Sequence, residues 1–252
     1  PPDGPKPATF GRHDVLLGRV AATTTSRVVA VTDRGRALHA AVASIAEVTG
    51  RSRGVATSEA FTTEKGETVL ALVAAPQNSP SVEGTLDLTA ASADTPPPLL
   101  VVTANGVMKR VGVEEIVGTA NGKTVINLRP GDSVIAAFPA SDGTDIIAVA
   151  SNAQAMRCDV ASVSVQGRGA AGVAGMKLAD GATVIAAGPV AGDDTIIVTH
   201  TDQQTAKVTD AAEIPTKGRG TGGLRVTRFR EEKRLDLAYV GPETGVNLVV
   251  GL

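Results

Sequence analysis

A chain of 252 residues suffices for one large β domain or two small ones, and its formal charge of −2 neither demands nor forbids a nucleic-acid partner. An apolar content of 42% and a mean hydropathy of +0.11 exclude a disordered chain. With 4 Phe, 1 Tyr and no Trp, the core must be built of Val, Ile, Leu and Ala, a composition that favours strands. No apolar run reaches the roughly 18 residues of a membrane span, and no signal-peptide pattern is visible, so neither a membrane nor export is expected and a cytoplasmic location fits. Cys158 is the single cysteine, which excludes internal disulfides and cysteine-based metal sites and reads as a small buried apolar residue. A start at Pro1, without an initiating Met, suggests a fragment of something longer.

In chain order, the same pattern returns: an apolar run, a short polar turn, a second run. The turns start near Thr32 in VVAVTDRGRALHA, Thr103 in LLVVTANGVMKRV, Ser151 in IIAVASNAQAMRCDV and Thr201 in IIVTHTDQQTAKV. A weaker fifth copy starts at Gly241 in LAYVGPETGVNLVV. Asn, Asp and Gly between β-branched runs mark hairpins. Each hairpin leads through a glycine-bearing connection into a second pair of short strands. The connections are Gly50–Gly54, Gly118–Gly122, Gln166–Gly169 and Lys217–Gly220. Residues 76–98, rich in Pro, Ser, Ala and Thr, read as a surface-loop insert in the first copy. Glu114 and Glu115 read as an acidic loop, and a turn or two near Ala40–Glu47 is the only helical candidate.

About four short strands repeated near every 50 residues means propeller blades rather than a helical solenoid. The expected fold is a single all-β domain over residues 1–252, propeller-like, with about five four-stranded blades, or six in a longer parent. PATFGRHDVLLGRVAAT resembles the second half of a repeat and DLAYVGPETGVNLVV a first half. The two terminal halves could therefore complete one blade and close the ring, or the ring could stay open.

LLVVTANGVMKRVGVEEI, VASVSVQGRGAAGVAGMKLADGATVIAAG and EVTGRSRGVA together resemble the blade repeats of the C-terminal domain of bacterial type IIA topoisomerase A subunits, and the likeness runs through nearly the whole chain. The resemblance implies a β-pinwheel whose blades exchange strands and whose basic rim bends duplex DNA, presenting the transported segment to the cleavage core. It implies as partners double-stranded DNA, the same subunit's N-terminal cleavage core and, through it, the ATPase B subunit. It also implies that the cleaving tyrosine lies in another domain, so that this one is not an enzyme by itself, although its parent is an ATP-dependent DNA topoisomerase, an isomerase. No cofactor is expected.

Gyrase members of that family carry a seven-residue box, Gln-Arg-Arg-Gly-Gly-Lys-Gly, that wraps DNA with defined handedness. The nearest counterpart is Lys217-Gly218-Arg219-Gly220-Thr221-Gly222-Gly223, which lacks the leading Gln, has Thr221 at a Gly position and Gly222 at the Lys position. Gln166–Gly172 keeps the Gln but loses the paired Gly and the Lys. With the box degenerate, the resemblance favours topoisomerase IV over gyrase.

Binding DNA without reading bases needs cations and backbone donors spaced along phosphates. The candidates are Arg34, Arg36, Arg51, Arg53, Lys109, Arg110, Arg157, Arg168, Lys177, Lys207, Lys217, Arg219 and Arg225. Arg36, Lys109 or Arg110, Arg157 and Lys207 each follow a hairpin turn, which suggests one recurring position and hence a ring of charge. Glycines flanking Arg51, Arg53, Arg168 and Arg219 would let backbone approach phosphate closely. The run Arg228, Arg230, Lys233 and Arg234 is interleaved with Glu231 and Glu232 and reads as largely self-compensating.

His13, His39 and His200 are far apart, and no GxSxG, P-loop or HExxH pattern occurs. Asp193-Asp194 and Asp142/Asp145 lie in turns before strands, and Tyr239 sits in a strand as a structural residue. Two other readings stay open: a propeller that only scaffolds protein partners, which a pI of 6.0 suits, and a gyrase domain with chiral wrapping. A propeller hydrolase would need converging acid and base groups, which the sequence does not offer.

Overall fold

The computed structural model describes residues 20–48, 54–74 and 96–243. The first repeat contributes β1 (Arg27–Thr32), β2 (Arg36–Ala41) and β3 (Val69–Ala74), with a five-residue helix α1 (Thr57–Phe61) between β2 and β3. The second contributes β4 (Leu99–Thr103), β5 (Val107–Val111), helix α2 (Val113–Val117), β6 (Lys123–Thr124) and β7 (Val134–Pro139). The third holds β8 (Asp145–Ala150), β9 (Gln154–Asp159), β10 (Val173–Ala174) and β11 (Val184–Pro189). The fourth holds β12 (Thr195–Thr201), β13 (Ala206–Asp210), β14 (Leu224–Arg225) and β15 (Leu235–Pro242).

These strands form three four-stranded antiparallel sheets, β3-β1-β2-β6, β7-β4-β5-β10 and β11-β8-β9-β14, and one three-stranded sheet, β15-β12-β13. The outermost strand of each four-stranded sheet comes from the following repeat. β6 leaves the second repeat to pair with β2, β10 leaves the third to pair with β5, and β14 leaves the fourth to pair with β9. The inner strands β3, β7, β11 and β15 line up in succession and link one sheet to the next.

The first three sheets bury both faces, so the central strand of each reads as an unbroken apolar run rather than an alternating one. Alternation survives in where the residues point. Leu99 and Val101 pack with Val29 and Val31 of the preceding sheet, whereas Leu100 and Val102 pack with Ile146 and Ala148 of the following one. Ile147 and Val149 continue the series onto Ile197. Phe61 of α1 covers the far face of the first sheet over Val28, Ala30 and Leu38. Backbone bonds of one kind recur between neighbours: Val134 N–H donates to Asp33 O (2.7 Å), Val184 to Ala104 O (2.8 Å) and Leu235 to Ser151 O (2.8 Å).

Two details depart from the sequence reading. Gly241 and Pro242 do not open a fifth hairpin: they lie inside β15, where Pro242 sits opposite Thr195 as Pro139 sits opposite Leu99 and Pro189 opposite Ile146. The fifth turn is the end of an inner strand, and the described residues build four sheets. Glu114 and Glu115 lie in helix α2, not in a loop, because Val113 and Ile116 bury one side of a turn that Gly118 ends. Of the 76–98 insert, only Pro96-Pro97-Pro98 falls within the described residues, running into β4.

Candidate nucleic-acid interface

The cations in and after the hairpin turns are already occupied. Arg36 meets Glu67 through two nitrogens, with Nε at 2.8 Å from Oε1, and reaches Glu64 at 2.9 Å. Glu67 also accepts from the Thr32 hydroxyl at 2.7 Å, and its buried carboxyl is driven down to about 2, first by the Arg36 hydrogen bond. Arg34 pairs with Glu64 and donates to Lys65 O at 2.9 Å. Arg110 is buried against Asp142 at 2.7 Å, and Arg157 holds Asp145 at 2.7 Å and the Ala211 carbonyl at 3.2 Å.

Lys109 is wholly buried. Its ammonium donates to three carbonyls, Val125 O (2.7 Å), Arg168 O (2.9 Å) and Ala170 O (3.1 Å), while burial lowers its pKa to about 8 against a smaller opposing pull from Glu115. Lys207 repeats the device, donating to Val226 O at 2.7 Å. Both lysines tie the segment that departs for the preceding sheet to the hairpin it leaves.

The expected single recurring position therefore resolves into three. Lys109 faces Val101 and Lys207 faces Thr199 at one register position; Arg110 faces Leu100 and Arg157 faces Ile147 at the next; Arg36 stands apart, opposite Thr124 of β6. Lys109 and Arg110 are corrected from rim cations to interior ones, because their charges are committed to carbonyls and to Asp142. A cation that follows a turn was legible in sequence; the inward direction of its side chain was not.

The connections differ. Arg51 and Arg53 lie outside the described residues. Arg168 is exposed and donates to the Thr119 hydroxyl at 3.2 Å, beside a shallow pocket lined by Glu114, Glu115, Gly118 and Thr119. In the box-like segment, Arg219 spans two neighbouring sheets through Ser162 O (2.9 Å) and Ala174 O (3.1 Å). Gly223 has φ +75°, and a Cβ there would come within 2.2 Å of Ala155 O, so this glycine serves the approach of the donated strand to its host. Gly172, with φ +86° and a Cβ position 2.7 Å from Met108 O, does the same one sheet earlier. A Cβ added at Gly167, Gly169 or Gly218 would meet nothing within 4 Å, so packing does not require glycine at these positions. Lys177, Lys217 and Arg225 are exposed and have no ion pair among the described residues.

Aligning the donated strands by register adds cations that the sequence reading left out or open. Lys123, Val173 and Leu224 are equivalent, each opposite the second residue of the host hairpin strand. Counting onward from them places Asn127, Lys177 and Arg228 together, and Arg129, Ala179 and Arg230 together. Lys123, Arg129, Arg228 and Arg230 are all exposed. Glu232 does not neutralise this run by ion pairing: its carboxylate accepts from Arg230 N (2.6 Å), Glu231 N (3.2 Å) and the Thr205 hydroxyl (3.0 Å), bonds that hold its pKa below the ordinary range. The interface the geometry supports is thus the outer edge, where the connections and donated strands lie, and not the hairpins.

Among the described residues no group of His, Cys, Asp and Glu is placed to hold a metal, and no helix is long and apolar enough to cross a membrane. Cys158 is buried, and burial pushes its thiol up to about 11.

The family model of the DNA gyrase C-terminal domain, beta-propeller, matches residues 26–76, 97–141, 144–191 and 197–235, one segment per repeat. The chain is 26% identical over 239 residues to the DNA gyrase A protein of Escherichia coli, which covers 94% of this chain and 25% of that protein. It is 38% identical over 105 residues, 41% of its length, to topoisomerase subunit TopoM of Mycolicibacterium smegmatis, of which that covers 15%. The chain thus spans about a quarter or less of the curated relatives it matches. In fold it is similar to the C-terminal domain of a DNA topoisomerase IV (TM-score 0.77, 20% identity, 92% of this chain and 69% of that one). The E. coli ParC C-terminal domain superposes with a TM-score of 0.62 at 14% identity, covering 93% of this chain and 89% of that one. Strand donation, four sheets in series and a match through every repeat lead to one assignment: this chain belongs to the DNA gyrase C-terminal, beta-propeller domain family.

Proposed function

We propose that this chain binds and bends duplex DNA as the non-catalytic C-terminal domain of a type IIA topoisomerase A subunit in the cytoplasm, presenting the transported segment to the N-terminal cleavage core that works with the ATPase B subunit. The carrying observation is the segregation of charge. Arg34, Arg36, Arg110 and Arg157 of the hairpins are neutralised by Glu64, Glu67, Asp142 and Asp145, whereas Lys123, Lys177, Lys217, Arg225, Arg228 and Arg230 are exposed without carboxylate partners among the described residues. Unpaired outward cations are what phosphates require: each phosphate neutralised releases condensed counterions, and the resulting gain in affinity shrinks as salt rises.

A topoisomerase IV-like role is favoured over chiral gyrase wrapping because the box-like segment is engaged internally. Arg219 is held by two carbonyls, and Gly223 is packed against Ala155. A topoisomer-shift assay on a relaxed circle tests this: no chiral shift is expected at protein-to-DNA ratios where binding is complete, and a defined positive or negative shift would contradict it. Binding itself is tested with duplexes of unrelated sequence at equal salt. Affinities within a few fold of one another are expected, and strong preference for one sequence would refute a backbone-only mechanism.

A further inference from the structure

We infer that the duplex is gripped unevenly, with its strongest hold at the outer edge of the third sheet, where the fourth repeat donates β14; this rests on the DNA-binding reading above. Four equivalent positions, two on each donated strand and two just beyond it, allow a direct comparison. The second repeat places Lys123, Thr124, Asn127 and Arg129 there; the third, Val173, Ala174, Lys177 and Ala179; the fourth, Leu224, Arg225, Arg228 and Arg230. The fourth repeat thus puts three guanidiniums on a stretch where the third repeat puts one ammonium.

The groups before the donated strand widen the contrast, and those after it leave it unchanged. Before the donated strand, the second repeat has the neutral Gly118–Gly122, the third has Arg168 beside Glu115, and the fourth has the unpaired Lys217. After it, Asp132 of the second repeat and Asp180 of the third stand near the turns, against Glu231, Glu232 and Lys233 of the fourth. Glu232 accepts from the backbone N–H groups of Arg230 and Glu231 and forms no ion pair with the guanidiniums among the described residues. Arg219 and Lys207 add rigidity here without using the outward charges, the first by bridging Ser162 and Ala174, the second by pinning Val226 immediately after β14. Arg is also the better phosphate ligand, because its planar fork bonds two oxygens at once while Lys acts as a point charge.

The consequence is polarity: the duplex is anchored near the β14 edge and trails over the earlier sheets by weaker contacts. The test compares two triple variants of the whole chain, each removing three cations: Arg225→Ala/Arg228→Ala/Arg230→Ala and Lys123→Ala/Arg129→Ala/Lys177→Ala. Binding to a 20-base-pair duplex is measured across a salt series. The first variant should lose at least tenfold more affinity than the second, and its log affinity against log salt should flatten by about 2.7, near 0.9 for each phosphate no longer neutralised. Equal losses, or a larger loss from the second variant, would overturn the uneven grip while leaving DNA binding intact. A wild-type chain that fails to bind at low salt would sink the function itself, a separate outcome. Hydroxyl-radical footprinting of the wild-type complex covers the case of a misfolded variant: protection should be strongest over residues 217–230, and protection strongest over 123–129 would contradict the proposal.

Discussion

The hairpins, and the donated outer strands together with the segments that follow them, carry similar numbers of cations, yet they treat them in opposite ways. In the hairpins, cations turn toward the sheet or toward the loops that join one blade to the next and are fixed there: Arg36 on Glu67, Arg110 on Asp142, Arg157 on Asp145, Lys109 on three carbonyls. On the donated strands Lys123 and Arg225, and just beyond them Arg228, are exposed to solvent. The difference follows from position. In the first three sheets a hairpin strand lies between two others and has neighbours on both faces, so a charge there must be paired or bonded to be tolerated. A two-residue outer strand has one neighbour and one free side. The same residue type is therefore a fastener in one place and a ligand in the other, and partner atoms, not sequence position after a turn, decide which.

The sharpest way to break the fastener half of this contrast is Lys109→Ala. It empties a buried site and leaves three carbonyls without their donor, and we expect a loss of about 4 kcal/mol in denaturant unfolding. An unchanged midpoint would mean that Lys109 is no fastener. Glu67→Gln comes next. Its folded pKa of about 2 lies below the ordinary 4.5, so its contribution is whole above pH 4.5 and drains away as pH falls toward 2. The size is about 3 kcal/mol from the linkage of pKa to stability. Wild type should therefore lose its margin over the Gln variant across that window in acid-unfolding titrations; parallel curves would refute the Arg36–Glu67 clamp.

Within the box-like segment the contrast can be drawn between two glycines. Gly223→Ala should cost about 2 kcal/mol, because a side chain at φ +75° also strikes Ala155 O, whereas Gly218→Ala, in open space, should stay within about 0.5 kcal/mol. Equal melting shifts for the two would remove the structural reading of Gly223. The smallest effect is expected for Arg34→Gln. Arg34 and Glu64 are both about half exposed, and such surface pairs contribute about 0.5 kcal/mol or less. A larger loss would place blade-one salt bridges among the fasteners.

Much of this architecture was written in the sequence. Turns beginning near Thr32, Thr103, Ser151 and Thr201 are hairpin turns, and the apolar runs around them are the buried central strands. What failed did so for a local reason. GPETG resembles a hairpin turn because Gly and Pro favour reversals, but its Gly241 and Pro242 end an inner strand, as Pro139 and Pro189 do in earlier repeats. Strand donation is invisible to periodicity, since two residues such as Lys123 and Thr124 carry no period, and it alone reveals that Gly223 meets Ala155 and that Lys123 and Leu224 are counterparts. The exposure of Lys177, Lys217 and Arg225 agrees with their reading from sequence as outer cations. The inward Lys109 was not legible, because nothing in VMKRV tells which of its two cations will find carbonyls in a connection some 60 residues away.

The direct test is a salt series of affinity for a 40-base-pair duplex, with bending read by energy transfer, on three proteins: wild type, a hairpin variant (Arg34→Gln/Arg157→Gln) and an outer-edge variant (Lys217→Ala/Arg225→Ala/Arg228→Ala). The hairpin variant should follow the wild-type line in slope and bend angle wherever it remains folded, and the outer-edge variant should bind more weakly, with a flatter slope and a smaller bend. A hairpin variant that loses as much affinity and slope as the outer-edge variant would contradict the division of labour between fastening and phosphate-binding cations.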